Sequence, residues 1–147
     1  RSLNPFVGKA ETFRCPSDNG DARWDPPAAN PGVDNCYWAW GESYSDQWNT
    51  DRYQVRRVCG SDMTSNLPMS QGELEQAPSI KLLMGDWIWH KDRLVLVKKN
   101  QWHNYNAEKR IMFAFGDAHS EFFRFPDLWI STWGTTNPPP DPAVGFW

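Results

Sequence analysis

The sequence predicts one loop-rich domain of the α+β class, mostly β, built around an antiparallel sheet. Three observations lead to this expectation. A chain of 147 residues has the length of a single domain, 1–147, and can bury roughly 69% of its unfolded surface. Ten Trp and eight Phe are too many for a disordered chain. Twelve Pro and ten Gly interrupt the sequence too often for a helical bundle.

The first half of the chain alternates turn signals with short strand candidates. Breaker residues cluster at 16–21, 26–27 and 30–32. Segments rich in aromatic or β-branched residues are predicted as strands, and these are 11–15, 35–40 and 53–59. One short helical turn is expected within 67–75.

The strand pattern is tighter from residue 79 onward. The predicted strands there are 80–89, 93–98, 111–116 and 119–125. The last two are expected to form a hairpin, because Gly116-Asp117-Ala118 lies between them. A short helix is expected over 126–132, since a proline suits the first turn of a helix. The Pro-rich tail, 137–147, favours polyproline geometry, with Phe146 and Trp147 packing back against the domain.

Charge and hydropathy exclude two classes of partner. Charged residues make up 22% of the chain and the net charge is −3. No Lys/Arg cluster offers the positive surface that nucleic acid requires, so nucleic acid is not an expected partner. The longest apolar runs are far below the roughly 18 residues of a membrane-spanning helix, so the chain as given is not expected to cross a bilayer.

All three histidines, His90, His103 and His119, fall within one stretch of the sequence. Asp86 would share a strand face with His90, and Asp117 with His119, because side chains two or four residues apart point the same way. Imidazole and carboxylate together suit zinc or a similar divalent ion. A His/Asp metal or catalytic cluster is one interpretation. Histidines packed on aromatic rings, each bonded to a carboxylate or carbonyl, are the plainer alternative.

Two further groups allow a functional or a structural interpretation. Oxygen ligands clustered in a loop can hold calcium, but Asp and Asn are also common in turns for their local hydrogen bonds. The acidic loop residues concerned are Asp18, Asn19, Asp21 and Asp25.

The many tryptophans could form a platform for sugar rings. Pairs two apart, such as Trp87 and Trp89, would equally face one side of a buried sheet, and core packing is the commoner explanation.

Five segments of the sequence resemble a bacterial family when taken in order. They are 13–18 (FRCPSD), 40–44 (WGESY), 78–86 (PSIKLLMGD), 102–104 (WHN) and 115–123 (FGDAHSEFF). Together they resemble the C-terminal globular part of type II secretion pseudopilin-like proteins. The nearest group is the prepilin-type processing-associated proteins, named for a His, nine residues and Asp-Gly. The likeness covers roughly 3–126.

The chain departs from that family at two points. Asp117-Ala118 stands where the family has Asp-Gly, and thirteen residues separate His103 from Asp117. Gly116 could supply the turn glycine from the other side. The family's apolar N-terminal helix is absent, and a chain that opens at Arg1 fits a soluble part cut after that helix.

The resemblance implies a pilin-like head domain and a non-enzymatic structural or assembly subunit of a type II secretion or type IV pilus-like filament. Its partners would be other pilin-like subunits or the secretion machinery. The protein would be exported to the periplasm or cell surface and anchored in the inner membrane through the missing helix. The alternatives are a carbohydrate-binding module of an exported protein and a His/Asp metal-dependent hydrolase.

The resemblance also bears on the cysteines and histidines. Export permits a disulfide, and Cys15 is expected to pair with Cys36 or with Cys59. The family motif matches His103, Asp117 and His119. With His90, these residues are expected to approach one another and either hold a divalent ion, zinc or calcium, or clamp the last hairpin.

Overall fold

The computed structural model of the chain describes its central sheet and the segments that pack on it. The described residues are 7–22, 32–47, 55–60, 67–90, 93, 97–103, 108–125, 140–143 and 145–147. Within them, four antiparallel strands form one sheet in the order β1-β2-β3-β4. The strands are β1 Tyr44–Asp46, β2 Leu82–Asp86, β3 Arg110–Phe115 and β4 Ser120–Arg124. The expectation of a mostly β, antiparallel α+β fold is confirmed.

The β3–β4 hairpin follows from local pattern and is confirmed. Ile111, Phe113 and Phe115 alternate with more exposed residues along β3, so one face of the strand is buried. In the turn, Ala118 has a positive φ of 70°. Gly116 is required for a different reason, because a Cβ there would lie 2.8 Å from the backbone oxygen of Pro78.

The predicted strand 80–89 is only partly right. β2 ends at Asp86, and Trp87–Trp89 form one turn of 3₁₀ helix. Trp87 N donates to Ser43 O, and Trp89 Nε1 donates to Ser45 O and Oγ. Because the chain turns into a 3₁₀ helix directly after Asp86, the expected alternation of faces from Asp86 to His90 does not occur.

The prediction of a strand at 35–40 is wrong. Cys36–Trp40 form a short helix, α1, because acceptors meet its first backbone N–H groups. The Asp18 carboxylate accepts from Cys36 N and Tyr37 N, and Asn35 Oδ1 accepts from Trp38 N. The tertiary contact with Asp18 outweighs the strand preference of the aromatic residues.

The remaining elements are short. Ala10–Phe13 form a 3₁₀ helix where a strand was predicted over 11–15. Helix α2, Gln71–Leu74, lies inside the predicted helical range and has a capping box between Ser70 and Glu73. The described part of the predicted strand 53–59 contributes only bridge residues, Val55 and Cys59. The centre of the predicted strand 93–98 and all of the predicted helix 126–132 lie outside the described residues.

The core is aromatic, and Phe146 and Trp147 pack against it. Its aromatic residues are Trp89, Trp102, Phe113, Phe115, Phe123 and Phe125. Phe146 packs against this cluster, as the tail prediction required. Trp147 is also buried, and its backbone pairs with Ile80 O and Leu82 N. None of the helices in the described segments has the length and apolar character needed to cross a membrane.

The ammonium groups of two buried lysines each donate hydrogen bonds to three backbone oxygens. Lys81 Nζ donates to the carbonyl oxygens of Arg56, Leu82 and Trp147 at 2.7–3.1 Å. Lys109 Nζ donates to the carbonyl oxygens of Ile88, His90 and Arg93. We call these two arrangements the carbonyl cages. They join loops to the beginnings of β2 and β3.

Candidate metal centre

Three side chains from distant parts of the sequence meet beside the sheet. Cys15 follows the first 3₁₀ helix, Asp86 ends β2, and His103 lies in the segment 97–103. His103 Nε2 lies 3.2 Å from Cys15 Sγ and 3.7 Å from Asp86 Oδ2. One donor atom from each residue falls within 4.8 Å of the others, so the group could hold a metal ion.

Asp18 fixes the loop that presents Cys15. Its carboxylate accepts from Gly20 N, Cys36 N, Tyr37 N and Ser43 Oγ. Asp18 N in turn donates to Cys15 O. Since Ser43 directly precedes β1, these bonds hold Cys15 in a defined position relative to the sheet.

The Asp86 carboxylate is buried with few partners. Its side chain is 1% exposed. Oδ2 accepts from Met112 N at 3.1 Å, whereas Oδ1 has no hydrogen-bond partner within the segments that the structure describes. Burial raises the pKa of Asp86 to about 7, and the nearby Asp18 charge adds to the effect.

Burial also controls the protonation of the other two groups. It raises the pKa of Cys15 to about 11, and it lowers the pKa of His103 below its ordinary value. Without an ion, Cys15 is therefore a neutral thiol and His103 a neutral imidazole at pH 7. Neutral imidazole is already the form in which histidine binds metals.

The geometry does not match a Cys-His-Asp catalytic triad. In such a triad the acid holds the imidazole nitrogen opposite the one that faces the nucleophile. Here Cys15 and Asp86 both approach His103 Nε2. A reactive thiol also needs a lowered pKa, whereas that of Cys15 is raised. Convergence on one nitrogen is instead the arrangement of ligands around a shared atom.

The three side chains line one wall of a cavity of about 620 Å³. Most of its other lining is apolar and includes Phe13, Tyr44, Met84, Met112 and Phe113. Met84 and Met112 are each 37% exposed, so the cavity reaches the surface of the sheet. A ligand on the site would thus have both solvent access and an apolar surface to contact.

Only one of the four predicted ligands lies at this centre. His103 belongs to it, while the other three have different neighbours. His119 Nδ1 lies 2.5 Å from Asp117 Oδ1 at the hairpin turn, and its ring stacks on Phe115. The His90 ring stacks on Trp89. Among the described residues, Cys15, Asp86 and His103 are the group whose donor atoms converge for a metal.

Sequence reasoning identified Asp86 as a neighbour of His90 and considered Cys15 only for a disulfide. All three cysteines of the chain are described, and all are free thiols, so the expected bridge from Cys15 to Cys36 or Cys59 is not formed. The physical reason lies in the directions of the sulfurs. Cys15 Sγ faces His103, and Cys59 Sγ donates to Asp46 Oδ2.

The acidic loop serves structural contacts where the structure describes it. Asp18 holds helix α1, as given above, and Asp21 forms a 2.7 Å ion pair with Arg93. Asn19 donates to Lys98 O. Asp25 lies outside the described residues. The described acids of this loop therefore have the local and tertiary partners expected of turn residues.

The described tryptophans are mainly packed. Trp40 and Trp87 stack at 4.2 Å, and Trp89, Trp102 and Trp147 are buried. Trp38 is 73% exposed. Trp24, Trp48 and Trp133 lie outside the described residues. Within the described segments the tryptophans thus do not form an exposed plane for sugar rings.

Comparisons with protein-family models, with curated proteins and with solved structures yield no match for this chain.

Proposed function

We propose that this domain is the head of a pseudopilin-like subunit, a structural or assembly component of a type II secretion or type IV pilus-like filament. On this proposal the protein is exported and anchored in the inner membrane through an apolar N-terminal helix. Its partners are other pilin-like subunits or the secretion machinery, and its head domain has no catalytic role.

The observation that carries the proposal is the contact among the five segments that resemble the family. Ser43, from 40–44, donates through its backbone N to Phe13 O and through its hydroxyl to Asp18. Trp87 N, next to 78–86, donates to Ser43 O. These segments lie far apart in sequence, and their direct bonds fit motifs that maintain one structural unit.

Two further contacts complete this unit. Leu82 pairs with Phe115 in the sheet, which joins 78–86 to 115–123. His103, from 102–104, contacts Cys15 of the first segment. The turn adds support, because Ala118 stands where the family has glycine and has a φ of 70°, a conformation that glycine adopts without strain.

The test is capture of the full gene product from membranes of its own host. Cells expressing a tagged copy are crosslinked, and captured proteins are quantified by mass spectrometry against an equally expressed, unrelated exported domain with the same anchor and tag. The proposal predicts specific enrichment of pilin-like subunits or secretion components. Capture of neither class, at matched expression and membrane insertion, contradicts it.

A metal-dependent hydrolase is the second candidate, because the three-ligand group opens into a cavity. Catalytic zinc sites combine three protein ligands with an open position for water. Sulfur and nitrogen donors favour zinc over calcium. Zinc-dependent cleavage of p-nitrophenyl acetate, abolished by Cys15→Ser and retained in Cys59→Ser, would support this candidate. Equal rates with and without zinc would exclude that activity.

A further inference from the structure

We propose that Cys15, Asp86 and His103 bind one zinc ion and leave its fourth coordination position open to the cavity. The inference concerns ligand binding by this domain and does not depend on filament assembly. The ligand set differs from the histidine-rich set that the sequence suggested, because it uses a cysteine and an aspartate that are remote in sequence.

The distances agree with a tetrahedral zinc site. Zinc bonds are about 2.3 Å to sulfur and about 2.0–2.2 Å to nitrogen and oxygen. At tetrahedral angles such bonds put sulfur and nitrogen about 3.6 Å apart, and nitrogen and oxygen about 3.3 Å apart. The observed separations from His103 Nε2 are 3.2 Å to Cys15 Sγ and 3.7 Å to Asp86 Oδ2. Both separations from His103 Nε2 therefore lie within about 0.4 Å of the tetrahedral values, and the donor atoms of Cys15 and Asp86 lie within 4.8 Å of each other.

The Oδ1 atom of Asp86 supports a bound cation independently of the distances. Its side chain is 1% exposed and lines the cavity, yet Oδ1 has no hydrogen-bond partner among the described residues. A buried polar atom without a partner is costly, so such atoms are rare and require an explanation. A cation bound to this carboxylate provides one, because it compensates a charge that the surrounding residues do not.

The donor set selects zinc. Calcium takes six to eight oxygen ligands, whereas this site offers one carboxylate beside a sulfur and a nitrogen. Thiolate and imidazole are both common zinc ligands. Zinc binding releases the thiol proton of Cys15 to solvent, and the thiolate and carboxylate then balance the charge of Zn²⁺. The resulting centre is neutral, which suits its buried position.

The open position defines the class of ligand. A neutral centre beside apolar side chains has little to gain from an anion, because burying a further charge is costly. Water, an alcohol or a carbonyl oxygen is the better fourth ligand. Tyr44, Met84 and Met112 would contact an apolar group carried by such a ligand. The site is thus suited to a small, uncharged, partly apolar molecule with an oxygen donor.

Zinc affinity of the reduced full chain is measured by competition with a chromophoric chelator. Wild type is expected to bind one ion per chain. Cys15→Ser, Asp86→Asn and His103→Gln are each expected to weaken binding by at least about 100-fold, since loss of even an outer-shell partner costs 10- to 100-fold.

The chain supplies matched controls of each residue type. Cys59 and Asp46 form a second Cys–Asp contact away from the site, so Cys59→Ser and Asp46→Asn should retain wild-type affinity. His90→Gln and His119→Gln should do the same. Absence of stoichiometric zinc binding in wild type overturns the inference. Loss of affinity in the His90 and His119 variants that equals the loss in the His103 variant also overturns it.

Cobalt substitution keeps the test decisive if a variant folds poorly. Co²⁺ bound to wild type should show a thiolate-to-cobalt absorption band and the visible spectrum of four-coordinate cobalt. Added imidazole, a neutral probe, should change the visible spectrum, whereas acetate at the same concentration should not. A wild-type spectrum without the thiolate band excludes Cys15 as a ligand. A spectrum unaffected by imidazole excludes the open position while leaving metal binding intact.

Discussion

Two buried lysines and one buried aspartate, among the described residues, have opposite environments. In the carbonyl cages, Lys81 and Lys109 donate to backbone carbonyls that surround each ammonium group. Asp86, at the far end of β2 from Lys81, accepts one bond from Met112 N, and its Oδ1 has no hydrogen-bond partner in the described part of the chain. The chain itself compensates the two caged lysines, whereas one oxygen of the carboxylate at the candidate metal centre lacks such compensation there.

The carboxylates of Asp18 and Asp86 differ in the same way. Asp18 accepts four hydrogen bonds and holds together a turn, helix α1 and the residue before β1. Asp86 lies close enough for the Asp18 charge to raise its pKa. The difference indicates that one aspartate is a structural residue and the other a ligand residue. Substitutions at both types of site can therefore separate the two roles.

The largest expected effect is from Lys81→Met. This change leaves the carbonyl oxygens of Arg56, Leu82 and Trp147 without the ammonium group, and unpaired buried acceptors are costly. We expect a loss of about 3 to 5 kcal/mol in the free energy of unfolding, measured by urea denaturation. Lys98→Met, at an exposed position, is the control and should change it by less than about 0.5 kcal/mol. Equal effects would show that the cage does not stabilise the fold.

In contrast to Lys81→Met, Asp86→Asn should raise the free energy of unfolding at pH 8 in zinc-free buffer. The pKa of Asp86 is about 7 in the folded protein, against an ordinary value of 3.8. The folded state thus binds more protons between these pH values, and its stability falls as pH rises from about 4 to 7. The Asn variant lacks this fall and should be more stable than wild type at pH 8 by roughly 2 to 4 kcal/mol.

Urea denaturation of both proteins from pH 4 to pH 8 measures this difference. Asp141→Asn, at an exposed position, controls for the loss of one negative charge. Saturating zinc should reverse the order, because it stabilises the wild type more than the variant. A wild type that is the more stable protein at pH 8 without zinc would mean that Asp86 has a compensating partner.

The same substitution at Asp18 should destabilise the domain. Asp18→Asn replaces one acceptor oxygen by an amide nitrogen, so at least one of its four donors loses its partner. We expect a loss of about 2 kcal/mol by thermal or urea denaturation. Asn35→Ala, which removes the acceptor of Trp38 N at the same helix and a longer bond from Asn35 Nδ2 to Asp18 O, should cost about 1 kcal/mol. A stabilising Asp18→Asn would remove the distinction between the two aspartates.

Ala118→Gly gives the smallest effect and concerns the turn between β3 and β4. Ala118 has a φ of 70°, where a non-glycine residue is strained. Glycine should raise the free energy of unfolding by about 0.5 to 1 kcal/mol after its greater unfolded-state entropy is subtracted. Ala114→Gly in β3, where no strain is relieved, should instead lower it by about 0.5 to 1 kcal/mol. A loss at both positions would contradict the role of the turn strain.

Local pattern was sufficient for the hairpin and for the helical turn at α2. Alternation predicted the buried face of β3, and the structure pairs β3 with β4. The pattern failed where a distant side chain decides the conformation. Cys36–Trp40 resemble a strand in composition, and they form a helix because Asp18 accepts from its first N–H groups. Propensity over a few residues contains no information on such a contact.

The candidate centre was only partly accessible to sequence reasoning. The sequence predicts His103 and a divalent ion, and it groups Asp86 with His90. Cys15 and His103 are 88 positions apart, so only the topology of the sheet and its covering loops could bring them together. The grouping of His90 with Asp86 rested on a continuous strand, which the turn at Trp87–Trp89 ends.

The most direct test of the account is diffraction at the zinc absorption edge from crystals of the reduced protein grown with one equivalent of zinc. The account predicts a single anomalous peak about 2.3 Å from Cys15 Sγ and about 2.0–2.2 Å from Asp86 and His103 donor atoms. It also predicts a fourth ligand from the cavity side. A peak at His90 or at the Asp117–His119 turn, or no peak near Asp86, would contradict the assignment of Asp86 as a ligand residue.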